Sequence, residues 1–183
     1  VFMGGGGGGG YADNAQPVSV GGHGGGIVII RANEIIGNGN SIQANGEDII
    51  LQTNDEGAGG GGGGGSVVLR ANSYNTNLNI EANGGYGGDT YNFIFTTTCH
   101  APGGGGGGGA LLVNQSAQPA EIIFSATGAQ PGLVLHPTAP CLNTPFGATA
   151  ATDGGLVTDL PPITFSEFDI SLGNETTICD GAK

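Results

Sequence analysis

Short apolar runs recur along this chain, and each run of the first kind opens directly after glycine. Ile27-Val28-Ile29-Ile30-Arg31-Ala32-Asn33, Ser66-Val67-Val68-Leu69-Arg70-Ala71-Asn72 and Ala110-Leu111-Leu112-Val113-Asn114 carry apolar side chains on both faces of an extended chain, the pattern of a strand covered on both sides. A second set, 41–46, 79–84 and 123–128, alternates apolar and polar positions and closes on a small residue, then Asn or Thr, then Gly. That is a half-buried strand ending in a turn. A third set, 49–53, 91–96 and 133–136, completes each repeat. No apolar stripe of helical period survives the Gly, Asn and β-branched content. The expected fold is all-β: a short parallel β-helix, or solenoid, of about three coils. Arg31 and Arg70 are 39 residues apart and Gly65 and Gly109 are 44 apart, the extra length falling in the loop 84–89.

The glycine runs are as regular as the strands. Gly4–Gly10, Gly59–Gly65 and Gly103–Gly109 each hold seven glycines, and Gly21-Gly22-His23-Gly24-Gly25-Gly26 and Gly84-Gly85-Tyr86-Gly87-Gly88 are shorter versions. A flexible linker varies in length without penalty, whereas equal lengths in phase with strands point to a fixed span. In the polyproline II conformation seven residues reach roughly 22 Å at ~3.1 Å each. Such polyglycine II helices pack side by side through free backbone groups, and a layer of them on the flank of the β-helix would cover Ile29, Val68 and Leu112.

Composition narrows the partners. Three Lys plus Arg stand against fifteen Asp plus Glu, for a net charge of −12. A chain so poor in basic residues has no electrostatic footprint for nucleic acid and is repelled by an anionic membrane surface. No apolar stretch reaches the length of a membrane span, so neither nucleic acid nor direct membrane insertion is expected. The chain reads as a segment of a longer one: a glycine-rich repeat domain at 1–142, a cap and linker rich in Pro, Thr, Ala and Gly at 143–162, and a piece of different composition at 163–183. Other modules of the same long chain are the expected partners, with a surface or polysaccharide ligand unspecified.

Cys99 and Cys141 lie six residues beyond Phe93 and Leu135, equivalent places in consecutive repeats. A disulfide between them suits an extracellular setting and leaves Cys179 to a partner beyond this segment. Arg31 and Arg70 also fall at equivalent positions, where like charges call for Glu34, Glu81 or a backbone carbonyl nearby. Asn33 with Asn72, and Asn45 with Asn83, suit turn residues stacked in amide ladders.

The stretch Leu172-Gly173-Asn174-Glu175-Thr176-Thr177-Ile178-Cys179-Asp180-Gly181 resembles the opening of Ig-like or PKD-like β-sandwich modules of giant secreted surface proteins of Bacteroidota. The glycine-run and strand repeat at 21–136 is more loosely similar to glycine-rich segments of such adhesins. The resemblance implies a gliding-motility-adhesin-like cargo of the type IX secretion system, extracellular and on the cell surface. Its expected role is a rigid stalk or presentation module in a surface filament. The competing expectations are a carbohydrate- or ice-binding module and a non-catalytic accessory domain of a secreted enzyme. No Thr-x-Thr ladder repeats across the coils to favour ice.

Catalytic chemistry is thin, and no enzyme is expected. A polysaccharide lyase needs a basic group for proton abstraction, and only Arg31, Arg70 and Lys183 are basic. Asp48, Asp55, Glu56, Asp89 and Glu121 supply carboxylates for a glycosidase pair, but nothing in the sequence places two of them together, and solvated turn carboxylates account for them. His100 beside Cys99, with Cys141, matches no zinc motif. Asp13-Asn14 and Asn54-Asp55-Glu56-Gly57 have the oxygen-rich character of calcium ligands without a calcium motif; turn chemistry accounts for them. No cofactor is expected, with Ca2+ the one alternative.

Overall fold

The computed structural model describes residues 1–12, 19–91 and 97–161. They form an all-β structure without helix, and every strand pairing in it is parallel. Each repeat contributes a strand after its glycine run: β1 (Ile27–Arg31), β5 (Ser66–Arg70) and β9 (Ala110–Val113). They lie side by side with Ile27 on Ser66 and Ser66 on Ala110. The outermost partner of β9 is β11 (Gly155–Val157). The alternating strands β3 (Ser41–Gln43), β7 (Leu78–Glu81) and β10 (Ile122–Ser125) make a second sheet in the order β10-β7-β3.

Two smaller pairs join these sheets, β2 (Glu34–Ile36) with β6 (Ser73–Asn75), and β4 (Thr53–Asn54) with β8 (Thr90–Tyr91). The pair β2 and β6 is too short and too polar to be read from periodicity. Between it and the second sheet the chain turns at Asn38 and Thr76, both at positive φ (51° and 57°). The Asn38 amide donates to the Thr76 hydroxyl (2.6 Å), so each turn braces the next.

The core lies between the two large sheets. Val67, Leu69, Leu111, Val113, Ile80, Leu78 and Ile122 are buried there, with Val28, Ile30 and Ile42 packed at its open end. The outer face of the first sheet is covered only in part. Val68 and Leu112 are buried (5% and 8% exposed), with Leu160 of the returning chain packed against them. Ile29 stays 65% exposed because β1 is the edge strand, beyond the reach of that chain. A sequence pattern shows that a face is apolar and is silent on which distant segment meets it.

One expected strand needs correction. Of 49–53, only Thr53 enters a strand; Ile49 bonds instead into the glycine-run packing through the Tyr86 carbonyl, and Ile50 is 89% exposed. The stretch expected as cap and linker, 143–162, packs against the body as far as 161: the Thr149 and Thr152 carbonyls accept from Gly105 and Gly108, and β11 extends the first sheet. Small residues and Gly let it take the same extended path as the runs before it. The stretch 172–181, expected to open an Ig-like module, with Cys179, and Asp13-Asn14 lie outside the described residues.

Candidate functional site

The glycine runs meet in a hydrogen-bonded array organised around Gly59–Gly65. All seven of its amides donate. Gly60 and Gly63 donate to Gly8 and Gly5, Gly61 and Gly64 to Gly104 and Gly107, and Gly62 and Gly65 to Glu47 and Ala44, at 2.7–3.0 Å. The Gly59 amide is taken by the hydroxyl of buried Ser19 (2.8 Å). Donors therefore turn to a new neighbour at each residue and return after three, the period of an extended three-residue-per-turn helix. Its carbonyls at 60 and 63 accept from Gly22 and Gly25, and those at 59 and 62 from Gly88 and Gly85. Five segments thus surround one run. Glycine is required because a Cβ at Gly61, Gly62 or Gly64 would overlap the carbonyls of Gly85, His23 and Ala82.

Beyond the glycines, side chains repeat the bracing. Asn33 and Asn72 are joined side chain to side chain (2.8 Å), and Asn114 in the third repeat bonds both backbone groups of Ala71 (3.1 and 3.2 Å). The Asn45 side-chain Oδ1 accepts from the Asn83 backbone amide (2.8 Å), and the Asn83 side-chain Oδ1 accepts from the Ser125 hydroxyl, the Thr127 amide and the Thr127 hydroxyl (2.7–3.1 Å). Replacing Asn83 with alanine removes these acceptors and is expected to cost about 1 kcal/mol, read as a shift in the urea midpoint at unchanged m-value.

Arg31 and Arg70 are in register at the ends of β1 and β5. With Ala32, Asn33, Ala71, Asn72 and Asn114 they line a cleft of about 550 Å³. Arg70 donates to the Pro161 carbonyl (2.6 Å), so a backbone carbonyl of the returning chain takes the partner role. Glu81 is engaged elsewhere, by Gln43 and Asn45 (3.0 and 3.2 Å). An engaged guanidinium on a backbone carbonyl is a tether for the covering segment, which also places Leu160 over Val68 and Leu112.

Two of the candidate carboxylates, Asp48 and Asp89, are engaged by backbone amides. Asp48 accepts from the Tyr86 amide and Asp89 from the Leu133 amide (both 2.7 Å), the same bond made one repeat apart. Asp55 and Glu56 are buried within the turn that leads to Gly59–Gly65, with the Asp55 amide on Tyr91 and Asp55 at positive φ (56°). Cys99 and Cys141 form a disulfide with Cα atoms 6.2 Å apart. It uses both thiolates that a zinc site with His100 would need, and it packs beside Val134 and Ala139. Among the described residues no three His, Cys, Asp or Glu side chains converge as metal ligands.

Sequence reasoning overlooked Ser19, Glu47 and Pro161. Glu47 accepts from both the His23 amide (2.9 Å) and the His23 ring Nδ1. These bonds hold its carboxyl below the usual value of 4.5. A lowered folded pKa means that the bond stabilises the fold above the unfolded pKa and is lost as pH falls through the folded one. The melting temperatures of the native chain and Glu47→Gln should differ slightly at about pH 6 and converge as pH falls through the lowered pKa of Glu47; both groups are exposed, so the difference is small. No helix among the described residues is long and apolar enough to cross a membrane. No protein-family model, curated protein or solved structure matches this chain.

Proposed function

We propose that this chain is an extracellular structural module: a short parallel β-solenoid of about three coils whose strands continue into polyglycine II helices, serving as a rigid stalk or presentation segment of a large surface adhesin. The observation that carries this reading is the donation of every amide of Gly59–Gly65 to a neighbouring segment. Seven consecutive glycines lose more conformational entropy on ordering than any other residues. Such a sequence is useful where the backbone itself is the building material, in a body whose stiffness comes from a three-dimensional array of hydrogen bonds. The Cys99–Cys141 disulfide supports an oxidising compartment, and the engagement of Asp48, Asp89 and Glu81 in bracing supports a structural use of groups that an enzyme would keep accessible.

The resemblance of Leu172–Gly181 to adhesin modules of Bacteroidota supplies the setting, a type IX secretion cargo acting in surface attachment or gliding. Immunogold electron microscopy on unpermeabilised source cells, with antibody raised against residues 1–161, tests it. Label along filaments leaving the surface is the expected result. Antigen confined to the cell interior, or wholly released to the medium, would sink the stalk role.

A further inference from the structure

Gly4–Gly10 does not belong to the regular stack of strands; it lies in a notch between two glycine segments. Its amides at 4, 7 and 10 donate to the carbonyls of Gly25, Gly22 and Ser19, and its carbonyls at 5 and 8 accept from Gly63 and Gly60. The strand register that carries Ile27 to Ser66 and Ser66 to Ala110 also carries this notch onward by one repeat. Carbonyls 22 and 25 map to Gly61 and Gly64, and amides 60 and 63 map to Gly104 and Gly107. Those two carbonyls accept no hydrogen bond, and those two amides donate none, among the described residues. An open groove of about 630 Å³ runs along them, bounded by Gly4–Gly8, Gly60–Gly64 and Gly103–Gly108. The second notch therefore presents the same donors and acceptors, in the same three-residue period, as the first.

The first notch also states what its occupant must look like. A Cβ at Gly4, Gly7 or Gly10 would overlap the carbonyls of Gly63, Gly60 and Gly57, whereas at Gly5 and Gly8 it would meet nothing, and at Gly6 and Gly9 it would meet only a carbonyl oxygen at 3.6 and 3.8 Å. Glycine is needed at every third position and nowhere else. The required donor is the glycine N–H itself, so proline, which has none, fits the other two positions and presets the extended conformation. The groove's walls carry no charged side chain, while the whole chain bears −12. Two copies repel, and a neutral or basic strand does not.

We propose that the groove over Gly61, Gly64, Gly104 and Gly107 binds an extended strand of another protein with glycine at every third residue, seated as Gly4–Gly10 is seated one repeat earlier. This holds whether or not the chain is a stalk.

The test is calorimetric titration of the full 183-residue chain with a synthetic peptide of Gly-Pro-Ser repeats flanked by lysines, against the same peptide with each glycine replaced by alanine. The double variant Gly60→Ala/Gly63→Ala is the protein control: the added methyls come no closer than 3.4 Å to any atom, so the fold is kept, while they stand on the groove floor. One-to-one binding is expected, weakened at least about tenfold, or about 1.4 kcal/mol, both for the alanine peptide and for the double variant, whose melting temperature stays near that of the native chain. Three outcomes would overturn the proposal: no binding at millimolar peptide, equal binding of both peptides, or self-association of the native chain in sedimentation that the double variant abolishes. The last would make a second copy the occupant.

Discussion

Alanine placed singly through Gly59–Gly65 should give a stability profile with a period of three. Gly60→Ala and Gly63→Ala should remain within about 1 kcal/mol of the native chain, because the new methyls make ordinary van der Waals contacts at 3.4 Å or more and alanine is at ease in the extended conformation. Gly61→Ala, Gly62→Ala and Gly64→Ala each drive a Cβ into a carbonyl of a neighbouring segment. That segment can retreat only by breaking its own bonds: the Gly85 and Ala82 carbonyls, for example, accept from Gly106 and Gly109. Overpacking costs 1–3 kcal/mol where side chains can shift. Here backbone meets backbone, so a loss of more than about 3 kcal/mol, or failure to fold, is expected. Urea unfolding followed by far-ultraviolet circular dichroism checks it. A flat profile, with all seven positions equally tolerant, would mean that the runs do not pack as ordered helices.

Removing the disulfide is the second large perturbation. Cys99 and Cys141 are 42 residues apart, and the loop they close contains Gly103–Gly109, β9 and β10, the whole third repeat. In the chain-entropy account a loop of this length contributes about 4 kcal/mol by restricting the unfolded chain. The double variant Cys99→Ser/Cys141→Ser should therefore lose about 4 kcal/mol, and reductant should shift the native chain to the same midpoint while leaving the variant unchanged. The Arg70 bond to Pro161 and the bonds from Gly105 and Gly108 to Thr149 and Thr152 hold the covering segment independently. The variant's loss should thus appear as one cooperative shift with no early detachment of residues 149–161. An early separate transition would show that the covering segment depends on the disulfide for its attachment.

Much of this arrangement is legible in the sequence. Apolar runs at 27–33, 66–72 and 110–114 sit in equivalent places because each strand must repeat the same contact with its neighbour, and equality of side-chain type along the chain becomes register in the sheet. The same logic paired Cys99 with Cys141 and Asn33 with Asn72, since each pair is a short-range consequence of stacking one repeat on the next. Glycine runs of equal length revealed their order, because only a fixed span penalises a change of length.

What the sequence left open were relations between segments that share no periodicity. That Leu160 covers Val68 and Leu112, that Pro161 engages Arg70, and that Ser19 takes the amide of Gly59 all depend on where the chain returns in space. A strand's pattern encodes how apolar each face is, but a covering residue is chosen by distance in three dimensions. The direction of each glycine run is likewise invisible in a string of identical residues. Only packing sets Gly4–Gly10 antiparallel to its neighbours and in the first notch, leaving Gly61, Gly64, Gly104 and Gly107 along an open groove. Glycine has no side chain to record its neighbours, so its sequence specifies that backbones approach closely and the tertiary structure alone decides which ones.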